Sequence, residues 1–332
     1  MNRAGADNFI QNEGEDWPCW CCPVHGDPLA VYDDILLCVA GDSYRVRNGI
    51  PRFVATSQYS GSFGAQWIKY RITQLDSYTG FSITRDRIQR CLGEKLWNDL
   101  DGKHVLECGC GAGRFTEILL ELGARVTSVD LSEAVDANKE NFPQGPSHRI
   151  AQGDILSLPF RPRQFDVVVC LGVVQHTPSP EATIARLYEQ VRPGGYLVLD
   201  HYTYNLSWYT SLTPIFRRIL RRLPPDAGLS VTEGLVDIFL PLHRLVRNFY
   251  LGQVLLSRVS PVLCYYHEYP ELNDTLQKEW ALLDTHDYLT DWYKHYRTRA
   301  QLLKTIERLG LEDIWCERGG NGIEIRGRRP LS

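Results

Sequence analysis

The chain has 332 residues, 43% of them hydrophobic, and a formal net charge of -4 at pH 7. That is enough for a sizeable core and more than one domain, and the slight acidity excludes a global attraction for nucleic acid. No apolar run approaches the roughly 20 residues needed to span a bilayer, and the polar start lacks a signal-peptide core, so a cytoplasmic protein without a transmembrane segment is expected.

Ten cysteines would suit a disulfide framework in a secreted protein. Six of them (Cys91, Cys108, Cys110, Cys170, Cys264, Cys316) are scattered through segments that read as strands, turns or helices, which fits buried thiols in a reducing compartment.

In chain order, residues 1–16 read as a polar tail. Residues 17–55 read as a zinc-ribbon-like segment, because Cys22-x-x-His25 followed by Cys38 has metal-ligand spacing and so short a unit needs a staple. The candidate ligands are Cys19, Cys22, His25 and Cys38. A second knuckle would place a cysteine near Gly41, so Asp42, Cys19 or Cys21 would have to stand in. The competing reading is a metal-free β segment packed on the main domain. Residues 56–102 form a helical lead-in in which Gln66, Trp67, Tyr70, Arg71, Gln74, Asp76 and Tyr78 mix aromatic and polar character. They suit an amphipathic helix pair, and some of them would also suit a ligand site.

The stretch Lys103 to Ser132 organises the rest. Val105 and Leu106 make a short apolar strand, Gly109, Gly111 and Gly113 follow at alternate positions, and Phe115 to Leu122 has helical spacing. A second apolar segment, Ala124 to Val129, ends in Asp130, an acid at a strand tip with two oxygens for a ribose diol. The nearest rival, a dinucleotide-binding G-x-G-x-x-G turn, fails because Arg114 stands where its third glycine belongs. What stands there is E-x-G-x-G-x-G from Glu107 to Gly113, and Glu107 suits a ligand ammonium group better than a pyrophosphate.

This run resembles the first motif of the class I S-adenosylmethionine-dependent methyltransferases. The resemblance implies a doubly wound, mostly parallel seven-stranded α/β sheet of Rossmann-like type, with the small N-terminal ribbon and a helical insertion added. It implies cofactor contacts from Glu107, Gly109, Gly111, Asp130 and Leu131. The run from CPVHGDPL to RVRNGIPRF is similar to a zinc-ribbon-like segment that precedes this domain in some members, and FGAQW…TQLDSYTG resembles a lead-in found in a subset of them.

Past Asp130 the alternation continues with a helix from Ser132 to Asn141 and a strand at His148 to Gln152. Asp154 matches the family's third motif, where the carboxylate accepts from the adenine amine and the NH of the next residue, Ile155, meets a ring nitrogen. Taken alone, such an Asp is more often a turn or helix cap. Phe165 to Leu171 reads as a buried parallel strand, and the Leu171 carbonyl would accept from the cofactor's ammonium. In the loop GVVQHTPSP, His176 is placed either as a general base or as a residue that shapes the loop.

A helix at Ala182 to Val191 and the turn V-R-P-G-G lead into the strand ending at Asp200, a pattern that resembles the family's late motif. His201, Tyr202, Tyr204 and Asn205 then emerge as substrate-contact candidates; His176, His201 and Tyr202 are the catalytic set. Residues 103–204 are thus the cofactor-binding core, 205–290 a helical lid insertion, and 291–332 a closing helix and β-hairpin. Within the insertion, IFRRILRRLPP sets four arginines against Ile215, Phe216, Ile219, Leu220 and Leu223. Such a helix either meets a phosphate-bearing or membrane surface, or presents a solvated face over a buried stripe, and the second is the default expectation. The function expected is methyl transfer to a small-molecule acceptor, with rRNA methylation or a non-catalytic cofactor-binding scaffold as alternatives.

Overall fold

The computed structural model describes residues 17–54, 66–204 and 210–332. The polar tail, the FGA of the lead-in and Asn205 lie outside them. The chain divides into two compact units, one holding Ser82–Thr203 and Tyr293–Ser332 with the N-terminal segment, the other Tyr204–Trp292 with the residues just before Ser82.

In the first unit, β1 (Leu29–Tyr32), β2 (Ile35–Cys38), β3 (Ser43–Arg47) and β4 (Ile50–Pro51) form a small antiparallel sheet in chain order. Trp20 and Phe53 fasten this sheet to the main core, with the Trp20 and Phe160 rings 5.0 Å apart. Its exit strand covers a sheet edge, since the Phe53 NH donates to the Gln152 carbonyl at 2.8 Å.

The main sheet opens after helix α1 (Ile83–Asn98) with β5 (His104–Cys108), α2 (Arg114–Glu121), β6 (Arg125–Asp130), α3 (Ala134–Asn141) and β7 (His148–Gln152). It continues with β8 (Phe165–Cys170), α4 (Pro180–Gln190) and β9 (Val191–His201). The second unit then contributes α5 (Thr213–Leu220), α6 (Pro225–Leu245), α7 (Tyr250–Val259) and α8 (Asp274–Thr290). The chain closes the first unit with α9 (Arg299–Arg308), β10 (Glu312–Gly319) and β11 (Gly322–Arg328).

Strand order is β10-β11-β9-β8-β5-β6-β7, parallel from β9 to β7, with the β10/β11 hairpin antiparallel at the far edge. β7 and β8 are buried along their whole length; β8 reads accordingly as a nearly continuous apolar run broken only by Asp166, whereas β7, His148–Gln152, is buried with polar side chains at three of its five positions. Strand order reverses between β5 and β8, and open α/β sheets hold ligands at such a point, beyond the strand C-termini.

Two ion pairs to fully buried carboxylates pin α1 to this sheet. Arg87 pairs with Asp200 of β9, and Arg90 grips Glu324 of the adjacent β11 through two 2.7 Å hydrogen bonds. One helical turn thus spans two neighbouring strands, in register at Asp200 and Glu324. Asp200 also accepts the Gly172 NH at 2.6 Å, so the same acid fixes the loop leaving β8.

In the second unit, α6, α8 and their neighbours share a core around Val236, Leu240, Ala281 and Leu282. Here the expectation for IFRRILRRLPP is corrected. Ile215 and Ile219 face outward at 60% and 57% exposure, while Arg217 lies buried and paired with Asp291. The reason is charge: Asp291 is fully buried, a lone buried carboxylate is costly, and the arginine turns inward to meet it.

Candidate functional site

The loop from β5 into α2 is a tight wrap of the backbone. Gly109, Gly111 and Gly113 all take left-handed φ angles of 75°, 52° and 99°. At Gly109 a Cβ would lie 2.2 Å from the Val173 side chain, and at Gly113 it would lie 2.7 Å from the Phe142 ring, so both positions demand glycine. The Gly109 NH donates to the Val129 carbonyl at 2.7 Å, drawing the loop over the end of β6.

Asp130 closes that loop. Its Oδ2 accepts the Gly111 NH at 2.9 Å, and its Oδ1 accepts the Ser132 NH and hydroxyl at 2.8 and 2.7 Å. Burial pushes its pKa up and these donors pull it down, with burial dominating. The carboxylate is therefore held in one orientation at the strand tip, and Ser132 is a partner that the sequence reading did not single out. The neighbouring Leu131 carbonyl accepts from the Gln152 side chain at 2.9 Å.

Glu107 is buried beneath the loop. Its Oε2 accepts from Thr116 at 2.5 Å and from Ser128 at 3.1 Å, while its Oε1 is buried with no partner among the described residues. Burial raises its pKa to about 7, against the opposing pull of those two hydroxyls. An unsatisfied buried carboxylate oxygen is costly unless a donor arrives, and a ligand ammonium is such a donor.

Asp154 caps a short 3-10 turn at Ile155–Ser157 through a 2.9 Å bond from the Leu156 NH to its Oδ1. Ile155 is buried. Leu171 follows the last residue of β8, just before Gly172 with its left-handed φ of 78°.

A second group gathers where the loop after β8, the end of β9 and the segment 293–297 meet. His295 NH donates to the Gln175 carbonyl at 3.0 Å, and Arg297 NH to the Tyr202 carbonyl at 2.9 Å. The Arg297 guanidinium clasps Glu181 at 2.7 to 3.0 Å. His176 Nδ1 lies 3.3 Å from the Tyr293 carbonyl, which supports its loop-shaping reading, and its ring meets Tyr202 edge-on at 5.2 Å. Tyr202 in turn stacks on Tyr296 at 6.2 Å.

His201 is fully buried, and burial lowers its pKa to about 4. Its Nδ1 lies 2.9 Å from the Tyr202 carbonyl, to which the neutral ring donates, so Nε2 carries the lone pair and has no partner among the described residues. The Gln175 side-chain amide is likewise buried with neither atom partnered among the described residues, and so is His295 Nε2. Sequence reasoning missed Gln175 and His295. Gln175 sits beside the noted His176, but His295 comes from a segment over a hundred residues downstream, and no local pattern links them.

In the small N-terminal sheet, Cys22, His25, Cys38 and Asp42 bring their ligand atoms within 4.8 Å of one another. His25 Nδ1 is 2.8 Å from Asp42 Oδ2 and 3.5 Å from Cys22 Sγ. Backbone NH groups of His25 and Ala40 point at the two sulfurs at 3.4 and 3.5 Å. Cys19 is exposed and outside the group, while Asp42, another of the expected stand-ins, lies inside it. The reason is turn geometry: the β2–β3 turn, with Gly41 at φ 101°, carries Asp42 back over Cys38.

A family profile described as a methyltransferase domain matches residues 106–199. The ubiquinone biosynthesis O-methyltransferase of Pseudomonas entomophila is 34% identical over 128 residues, covering 38% of this chain and 55% of the relative. The Coxiella burnetii protein of the same name is 36% identical over 112 residues, covering 33% and 48%. The chain thus spans about half the length of the curated relatives it matches. Among solved structures, an S-adenosylmethionine-dependent methyltransferase from Mesorhizobium loti aligns over 74% of this chain and 98% of its own, with 14% identity and a TM-score of 0.43. The profile match takes in the glycine loop, Asp130, Asp154 and the strands around the reversal point, so residues 106–199 are similar to a methyltransferase domain.

Proposed function

We propose that the chain transfers a methyl group from S-adenosylmethionine to a small-molecule acceptor, and that the acceptor's reacting group sits against His201. The observation that carries this reading is the pairing of two sets of buried, unpartnered polar atoms in one unit. Glu107 Oε1 lies under the glycine loop, and Gln175, His201 Nε2 and His295 Nε2 lie where the loop after β8 meets β9 and the segment 293–297.

When bound, the cofactor supplies a sulfonium methyl that is already a good electrophile. The protein's part is to position and to exclude water. Glu107 would take the cofactor's ammonium, together with the Leu171 carbonyl, and the bare backbone at Gly109 and Gly111 would let its tail approach. Asp130 and Leu131 would meet the ribose, and Asp154 with the Ile155 NH the adenine. Across from these, neutral His201 would take the acceptor's proton on Nε2 while Nδ1 stays bonded to the Tyr202 carbonyl. Gln175 and His295 offer hydrogen bonds that orient the acceptor, Tyr202 gives an aromatic wall, and His176 holds the loop. A phenol or similar hydroxyl suits such a neutral imidazole base, in keeping with the O-methyltransferase relatives.

Isothermal titration with S-adenosylmethionine is the first test, and absence of binding would overturn the proposal. Asp130→Ala is expected to weaken that binding by about 1 to 3 kcal/mol, because it leaves polar groups at the ribose unpaired. Unchanged affinity would place the ribose elsewhere. Labelled cofactor incubated with metabolite and RNA fractions then distinguishes a small acceptor from rRNA.

The four groups in the N-terminal sheet fit zinc, with two sulfurs, one imidazole and one carboxylate making a closed, structural set. Purified protein is expected to carry about one zinc per chain by elemental analysis. Asp42→Ala should lower that occupancy sharply and Cys19→Ser should leave it unchanged; the reverse outcome would restore Cys19 as the ligand.

A further inference from the structure

The helical unit turns apolar surface outward where a globular domain would hide it. On α6 the buried stripe runs through Leu229, Thr232, Val236, Leu240 and His243, yet the opposite face repeats Val231, Ile238, Leu242 and Leu245 at helical spacing. Leu245 is 82% exposed and Ile238 63%. The chain then turns through exposed Phe249 and Tyr250 into α7, where Leu251, Leu255 and Val259 line one face. Helix α5 adds Ile215 and Ile219, and it is tied to the end of α7 by the Leu212 NH bonding the Arg258 carbonyl at 2.8 Å. Scattered exposed leucines are ordinary, but a periodic face continued over a turn onto the next helix marks an interaction surface.

Charge identifies the partner. From Ile238 to Val259 there is no acidic residue, while Arg247 and Arg258 lie within or beside the apolar face; Arg244, in the same stretch, pairs with Asp274 of α8. On α5, Arg218 and Arg222 are exposed next to Ile215 and Ile219. A second copy would bring arginines against arginines across a two-fold axis, whereas an anionic bilayer offers hydrocarbon for the leucines and phosphates for the guanidinium groups. No helix among the described residues is long and apolar enough to cross a membrane. Insertion is therefore in the plane of the interface. We propose that α6, α7 and the turn between them dock this protein on anionic lipid membranes.

The test uses the full chain and unilamellar vesicles of phosphatidylcholine, alone or mixed with phosphatidylglycerol, in a flotation assay. Binding to the mixed vesicles should exceed binding to the neutral ones by about tenfold or more and fall as salt rises. The double variant Leu245→Glu, Leu251→Glu should lose vesicle binding by about tenfold or more, and Arg247→Glu should lose the anionic preference. A Tyr250→Trp variant read with brominated lipids should show fluorescence quenching, and this readout decides the matter if the double variant fails to fold. A full chain that stays with the unbound fraction on mixed vesicles, or an unquenched Trp at position 250, would overturn the proposal. So would a double variant that turns a dimer into a monomer in light scattering while the unaltered chain shows no vesicle binding.

Discussion

Replacing His201 by alanine is expected to lower kcat for methyl transfer by about 10²- to 10⁴-fold, the range a positioned general base contributes. The ring is fully buried, its Nδ1 is committed to the Tyr202 carbonyl, and its Nε2 is left as an unpaired acceptor. A neutral imidazole in that state can take a proton without first losing one. Because burial holds its pKa at about 4, the kcat profile should stay flat from pH 8 down to about 5. A base at its ordinary value would begin to lose activity near pH 6.5 instead. The measurement is single-turnover methyl transfer from labelled cofactor, with cofactor affinity checked in parallel and expected to be unchanged. A fall of less than about threefold would return His201 to a packing role, since general-base removal costs more than that.

Cofactor affinity should depend on pH through Glu107, and steeply. Burial raises this carboxyl to about 7, so in the free protein it is largely protonated below that pH and ionised above it. Only the ionised form can accept fully from a ligand ammonium. Binding below pH 7 must therefore release a proton, and the apparent Kd should weaken by about tenfold per unit as pH falls from 7. Above about pH 7.5 it should level off, because no proton remains to be released. Titration calorimetry in buffers of different ionisation enthalpy reads the released proton directly, approaching one at pH 6 and none at pH 8. Glu107→Gln should abolish the pH dependence and weaken binding at pH 8 by roughly 1.5 to 3 kcal/mol, the usual value of a hydrogen bond to a charged group. A Kd that is constant between pH 6 and 8 would show that Glu107 does not meet the ammonium.

These two residues were visible to different degrees before any fold was known. Glu107 was legible because local sequence dictates its surroundings: the alternating glycines can only be a tight turn after a strand, and the acid two residues earlier must lie beneath it. Its raised pKa was not legible, because it comes from burial by distant parts of the chain, which outweighs the opposing pull of Thr116 from α2 and Ser128 from β6. His201 was visible only as a polar residue at a strand end. Whether such a residue is surface or site depends on what covers it, and here the cover comes from the segment 293–297.

The insertion shows the same limit more sharply. Helical periodicity found α5, but periodicity gives two faces without saying which is inside. One buried carboxylate, Asp291, reversed the expected orientation by drawing Arg217 inward.

By itself, then, the sequence determined the strand–turn–helix unit, the order of the parallel strands' segments and the acids at their tips, since glycine conformation, apolar runs and short-range spacing are properties of neighbouring residues. The tertiary structure alone decided that Asp42, and not Cys19, lies with Cys22, His25 and Cys38, that Gln175 and His295 join His201, and that Ile215 faces out. Each of those depends on which distant groups come to share a buried space, where an unpaired charge or hydrogen bond costs more than any local preference can offset.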